Sequence, residues 1–114
     1  MRVVQARSYR RWFEKLSDRR AKRAIAARIR RIQSQGAIAG DWKPIGSGIV
    51  ELRFDIGPGY RVYVALTGSA LIVLLAGGDK STQQRDIAKA KRVLEDWRML
   101  NENSIHFVGY PGIS

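Results

Sequence analysis

The apolar positions change their spacing along the chain, and each change marks an element. Tyr9, Trp12, Phe13 and Leu16 recur at i, i+3, i+4 and i+7, the stripe of an amphipathic helix with Ser8 as its N-cap. Ser17 and Asp18 interrupt it. Asp18 then caps a second helix with the stripe Ala21, Ala24, Ile25, Ile29 and Ile32, which Gly36 ends. So short a break predicts a helical hairpin. Its solvent face carries Arg19, Arg20, Lys22, Arg23, Arg30 and Arg31. Residues 1–6 suit a short edge strand, and residues 36–48, with Pro44 and four glycines, suit a loop.

From Val50 the period becomes two. Val50, Leu52, Phe54 and Ile56 alternate with Glu51, Arg53 and Asp55, and after Gly57-Pro58-Gly59 the residues Tyr60, Val62, Val64 and Leu66 alternate likewise. A three-residue loop at 57–59 puts all these apolar side chains on one face, whereas a one-residue slip would scatter them. That register sets Arg53 opposite Tyr63 and Asp55 opposite Arg61 on the other face. Thr67-Gly68-Ser69 suits a hairpin loop leading to a third strand, Ala70 to Ala76, apolar without alternation and therefore covered on both sides. After Gly77-Gly78-Asp79-Lys80, Ser81 and Gln84 form an S-x-x-Q capping box. The helix it opens has the stripe Ile87, Ala90, Leu94 and Trp97. Residues 101–114 read as a tail. The order predicts an α+β domain, with helices packed on one face of a small, mostly antiparallel sheet.

Size and composition narrow the function. The 114 residues make one domain, able to bury roughly 65% of the unfolded chain's surface without a metal or disulfide staple. No cysteine is present, which excludes thiol nucleophiles and thiolate metal sites and suits a reducing cytoplasm. The longest apolar run is far below the ~20 residues of a membrane span. Arg2, Arg7, Arg10 and Arg11 stand where a signal peptide would need its apolar stretch. The net charge of +11 points to a polyanion or an acidic protein as partner. Residues 1–35 hold 12 basic and two acidic side chains, while residues 36–80 hold four of each. The N-terminal third is the basic surface.

Candidate chemistry is correspondingly narrow. The single histidine, His106, lies in the tail, so neither a metal site nor a serine triad is expected, and no cofactor is implied. The glycines at 46, 48, 57 and 59 match neither a phosphate loop nor a dinucleotide fingerprint and read as turn residues. What remains is Lys43, Arg53, Arg61, Tyr63 and Lys80. These could be a solvated sheet face with a weak cross-strand pair. The less favoured alternative from spacing alone is a phosphate site, since two guanidinium groups near one phosphate stabilise its transition-state charge.

The segments Gly40-Asp41-Trp42-Lys43-Pro44-Ile45-Gly46-Ser47-Gly48-Ile49-Val50-Glu51-Leu52-Arg53, GPGYRVYV at 57–64 and LLAGGDKSTQQRDIAKAK at 74–91 stand in an informative order. Together with Trp12-Phe13 and the helix from Asp18 to Ile29, they resemble the HigB-like addiction-module killer proteins of the RelE/ParE toxin superfamily. The resemblance spans about residues 9–95. It implies a RelE-like toxin domain over 1–100, a tail over 101–114, and a cytoplasmic toxin of a type II toxin–antitoxin pair. The activity implied is mRNA cleavage on the translating ribosome; the alternative is a ParE-like toxin that inhibits DNA gyrase without cutting RNA. The partners implied are a cognate antitoxin of helix-turn-helix type, the ribosome and mRNA. Carried over by position, Arg61 is the phosphate-stabilising arginine, Arg53 and Lys80 are further catalytic cations, and Tyr63 stands in for the general acid or base. Lys43 with Arg19, Arg23 and Arg30 would bind RNA. The histidines of some relatives have no counterpart here, and Tyr110 lies beyond the matched segments.

Overall fold

A computed structural model of the chain describes residues 1–68 and 71–100 in full and residues 107–109 as backbone. Strand β1 (Arg2–Ala6) leads into helix α1 (Arg7–Lys15) and helix α2 (Arg19–Gln35). Strands β2 (Trp42–Gly46), β3 (Ile49–Phe54), β4 (Tyr60–Thr67) and β5 (Leu71–Asp79) follow. A 3-10 turn (Lys80–Thr82) then opens helix α3 (Gln83–Leu100), and a short strand β6 (Phe107–Gly109) completes the described elements. The strands lie in the order β2-β3-β4-β5-β1-β6, antiparallel throughout except where β1 runs parallel to β5. The fold is α+β, with a mostly antiparallel sheet and three helices. Among the described residues no helix is long and apolar enough to cross a membrane.

The helical hairpin forms as its caps predict. Asp18 Oδ1 accepts the Ala21 amide at 3.0 Å, and Gly36 closes α2 with φ +72°. The other oxygen of Asp18 accepts the Tyr60 hydroxyl at 3.2 Å, which ties this cap to the start of β4. Ser8 is not the N-cap of α1. That helix starts earlier, after Ala6, and the Ser8 hydroxyl donates instead to the Leu75 carbonyl at 2.5 Å. This carbonyl lies just past Gln5 and Leu74, the last residues at which β1 pairs with β5.

The hairpin of β3 and β4 keeps the predicted faces but not the predicted register. Phe54 pairs with Tyr60, so the loop is the five residues 55–59 rather than three. The extra length moves the register by two, which preserves parity. Leu52, Phe54, Val62 and Val64 face the helical hairpin as expected, alongside Ile25, Ile29 and Ile32. On the other face, however, Arg53 now stands opposite Arg61 and Glu51 opposite Tyr63. Asp55 lies exposed in the loop, away from the ladder. The segment 36–48 is also not all loop, because β2 pairs with β3 along the sheet edge, with a register shift between Pro44 and Gly46. Pro44 is tolerated on an edge strand, where a missing N–H leaves no ladder bond unmade.

The helices do not share one face. α1 and α2 cover the face that carries Leu52 and Val62, while α3 lays Ala90 and Leu94 on Tyr63, Ala65, Leu75 and Ala76 on the opposite side. β5 is therefore the central strand that its unbroken apolar run predicts. It contains a bulge: Tyr63 pairs with Ala76 and Val64 with Leu74, which leaves Leu75 as the extra residue. The strand also runs on through Gly77 and Gly78, which the sequence reading placed after its end. The helix cap shifts accordingly. Asp79 caps the 3-10 turn, accepting from the Ser81 amide at 2.8 Å and pairing with Thr82 in the box assigned above to Ser81 and Gln84. The hydrogen bonds from Ser81 hold the Asp79 carboxyl below its ordinary pKa.

Gly77 and Gly78 are required by space. A Cβ on Gly77 would lie 2.1 Å from the Trp12 ring, and one on Gly78 would lie 1.8 Å from Asp86 Oδ2 on the opposite face. Neither neighbour can yield, because Trp12 packs against Tyr9 and Tyr60 and the buried Asp86 carboxylate accepts from Thr82. Gly77→Ala and Gly78→Ala should each cost about 1–3 kcal/mol, the usual range for overpacking. Leu52→Ala, which opens a cavity at a fully buried position, should cost about 2–5 kcal/mol. Thermal melts of the three variants check this, and an unshifted Gly78→Ala melt would contradict the packing of α3 on β5.

Candidate functional site

The register just described lays two rows across the α3 face of the sheet. One runs Lys43, Glu51, Tyr63, Ala76, and the next runs Arg53, Arg61, Gly78. Directly opposite residues share a face, so four of the five sequence candidates, Lys43, Arg53, Arg61 and Tyr63, come together here. Lys80 joins them from the end of β5. Its amide donates to the Gly59 carbonyl at 2.9 Å, and a Cβ on Gly59 would lie 3.6 Å from both Arg61 Nη1 and Lys80 Cβ. Arg19, Arg23 and Arg30 do not join this face. They are exposed on α2, in the layer on the other side of the sheet. His106 and Tyr110 lie outside the described residues.

At the centre is a residue that the sequence reading did not single out. The Glu51 side chain has no solvent exposure, and its two oxygens are shared among three side chains. Arg53 Nε donates to Oε1 at 3.0 Å, Gln83 Nε2 from the first turn of α3 donates to Oε2 at 2.6 Å, and Arg61 Nε sits 3.8 Å from Oε1. The last is an ion pair too long to be a hydrogen bond. Burial alone would raise the Glu51 pKa; the hydrogen bonds from Gln83 and Arg53 and the Arg53 charge outweigh it and hold the carboxyl below its ordinary value. Glu51 is thus an anion kept dry by its partners.

Tyr63 lies beneath this carboxylate, completely buried, and its hydroxyl has no partner at hydrogen-bonding geometry. Burial, reinforced by the nearby charges of Glu51 and Asp86, raises its pKa far above that of a free phenol. Tyr63 packs under α3 with Ala90 and Leu94, and its phenol holds its proton more tightly than a free one.

The guanidinium groups are placed differently. Arg53 is 31% exposed and Arg61 13%. Both turn Nε toward Glu51. Among the described residues the Nη groups of Arg53 have no partner, and Arg61 Nη1 donates only to the Tyr60 carbonyl at 3.2 Å. Two guanidinium forks on neighbouring strands, drawn from behind toward one carboxylate, can hold the non-bridging oxygens of a phosphodiester.

A second residue missed at first holds this arrangement from the opposite layer. Arg28 on α2 donates to three carbonyls, those of Ala39 at 2.9 Å, Arg53 at 2.7 Å and Asp41 at 2.6 Å, with Phe54 under its guanidinium. The Arg53 amide returns a bond to the Asp41 carbonyl at 2.9 Å. Arg28 therefore fixes the backbone of Arg53 and the loop before β2 together. Its signal was readable: it falls on the apolar stripe of α2, three residues after Ile25 and four before Ile32.

The family model described as "Phage derived protein Gp49-like" matches residues 11–95, a span that contains every one of these side chains. The chain belongs to the Gp49-like family. That family lies within the RelE/HigB-like toxin group, and its members are commonly toxins of toxin–antitoxin systems, each paired with an antitoxin. An uncharacterized protein of Haemophilus influenzae is 48% identical over 85 residues, which cover 75% of this chain and 84% of that protein. No solved structure matches the chain.

Glu51 makes the stability of this Gp49-like domain acid-sensitive in a defined direction. Its folded pKa lies below the unfolded value of about 4.5, so its contribution is complete above that pH and is lost as pH falls through the folded pKa. Glu51→Gln should flatten this acid limb. Glu51→Ala, which leaves the two arginines facing each other without a counter-charge, should cost about 1–3 kcal/mol at neutral pH. Urea titrations between neutral and acidic pH measure both effects.

Proposed function

We propose that this chain is the toxin of a type II pair and has a RelE-like fold that cleaves mRNA on translating ribosomes in the cytoplasm. The observation that carries this reading is the Arg53–Arg61 pair, side by side on β3 and β4 and held through Nε by the buried Glu51. In RNA cleavage the 2′-oxygen loses its proton to solvent water and attacks the adjacent phosphorus. The bond to the 5′-oxygen breaks, and that oxygen takes up a proton, leaving a 2′,3′-cyclic phosphate and a 5′-hydroxyl. Negative charge accumulates on the non-bridging oxygens in between, where preorganised donors act most strongly. Arg53 and Arg61 are assigned that role. Lys80, exposed beside Arg61, is assigned the proton donated to the departing oxygen. Lys43, exposed on β2 in the neighbouring row, binds a flanking phosphate, while Arg19, Arg23 and Arg30 on the opposite layer contact more distant RNA by charge alone. The cognate antitoxin is proposed to be a helix-turn-helix protein.

Arg61→Ala should lower cleavage by roughly 100- to 1,000-fold, the loss of one transition-state donor, with folding intact. Arg61→Lys should not restore it, because an ammonium cannot reproduce the fork. Primer extension on mRNA in a translating extract reads the cut. Pulse labelling after induction distinguishes the alternative: continued protein synthesis with DNA damage would replace this reading with gyrase inhibition.

A further inference from the structure

A groove lies elsewhere, between α1 and α3. From α1 it takes Ser8, Arg11, Trp12 and Lys15, spaced i, i+3, i+4 and i+7, and from α3 it takes Lys89, Arg92, Val93 and Asp96 at the same spacing. Each helix therefore turns one continuous face, about 10 Å or two turns long, into the same space of about 770 Å³. This neighbourhood follows from the fold: α1 lies along β5 just past its pairing with β1, and α3 packs across that strand. The part-exposed Trp12 and Val93 supply an apolar strip. Arg11, Lys15, Lys89 and Arg92 stand exposed on its rims, and none has an ion-pair or hydrogen-bond partner among the described residues. Four unpaired cations lining an apolar strip are a surface laid out for something anionic and amphipathic.

We propose that this groove docks an acidic amphipathic helix of a partner protein. Two helix faces turned into one space leave a channel into which a third helix packs by ridges and grooves, with its apolar residues on Trp12 and Val93 and its carboxylates on the rims. The charge gradient selects a peptide over RNA. Further along α3 the lining turns acidic, with Glu95 and Asp96, so a uniformly anionic phosphate chain would run into two carboxylates. A peptide can place Glu or Asp opposite Lys89 and Arg92 and a neutral or basic residue beyond. The groove is separate from Arg53 and Arg61, so this proposal stands or falls apart from the cleavage reading.

The probe is a synthetic peptide of roughly 18 residues built from Glu, Ala and Leu, with Leu at i, i+3, i+4 and i+7, and labelled for fluorescence anisotropy. A second peptide with Lys for Glu is the control. The acidic peptide should bind and weaken as salt rises, and the basic one should not bind. Lys89→Glu/Arg92→Glu should weaken binding by roughly tenfold or more, while Arg20→Glu/Arg31→Glu, with the same change in net charge on exposed positions of α2, should leave it within about twofold. Circular dichroism confirms that both variants fold. Equal losses in the two variants would overturn the proposal, because net charge alone would then explain binding. It would also be overturned if a short single-stranded oligoribonucleotide lost affinity on Lys89→Glu/Arg92→Glu to the same degree as the peptide.

Discussion

A carboxylate with no access to water must be met by donors, and the way Glu51 is met organises the α3 face of this domain. Leaving such an ion unpaired in the interior would cost several kcal/mol. Glu51 recruits Arg53 from its own strand, Arg61 from the next and Gln83 from the start of α3. The same contacts that offset its burial fix two guanidinium groups that would otherwise repel each other and swing freely. Charge repulsion between Arg53 and Arg61, directly opposite in the ladder, is thereby turned into a shared orientation. The cost of burying one anion and the entropy of two long side chains are met by one set of bonds. A flexible pair would have to be ordered by each ligand at its own expense.

That arrangement holds only if the sheet beneath it is rigid on both sides, and β5 supplies this. Its bulge at Leu75 puts the consecutive residues Leu75 and Ala76 in one core beneath α3, and the paired glycines at 77 and 78 let Trp12 and Asp86 approach the backbone from opposite faces. The aromatic ring and the carboxylate take the volume that two methyl groups would have filled. α3 can then start where Gln83 reaches Glu51. The Tyr60–Asp18 contact and the three carbonyl bonds of Arg28 do the same for the helical hairpin, pinning it to β4 and to the backbone of Arg53. The candidate site is held from two layers, though only one layer carries it.

Much of this was legible in the sequence, and the misses share a physical cause. Spacing found the three helices, the Asp18 and Gly36 caps and the apolar faces of β3 and β4, because each depends on residues within a few positions. Parity survived even the wrong loop length, since a shift of two leaves every side chain on its face. The register itself did not survive. Three and five residues both satisfy the pattern, and only packing against Asp18 and Lys80 separates them. β2 was missed because Pro44 and its glycines read as loop, though an edge strand accepts them. Glu51 looked like one more polar residue in an alternating strand. Nothing local indicates that the polar face is covered by a helix more than thirty residues later. Arg28 could have been noticed, because a cation on an apolar stripe has to find acceptors. The Gp49-like family match covers these residues without saying which of them act.

The distribution of charge separates tasks that net charge alone runs together. An excess of eleven positive charges suggests one diffuse polyanion surface, yet the cations discussed above occupy different settings. Arg53 and Arg61 are oriented from behind by an acid, which sacrifices long-range attraction for geometry, because the anion that holds them also partly cancels their field. The arginines exposed on α2 are unconstrained and act at distances set by the Debye length, roughly 8 Å at physiological salt. The groove between α1 and α3 is intermediate: its cations flank apolar side chains, so what it binds must bring shape as well as charge. Selectivity in a protein this basic comes from the settings with acids in them. A purely cationic surface accepts any anion, whereas Glu51 in one place, and Glu95 and Asp96 in another, define which anions do not fit.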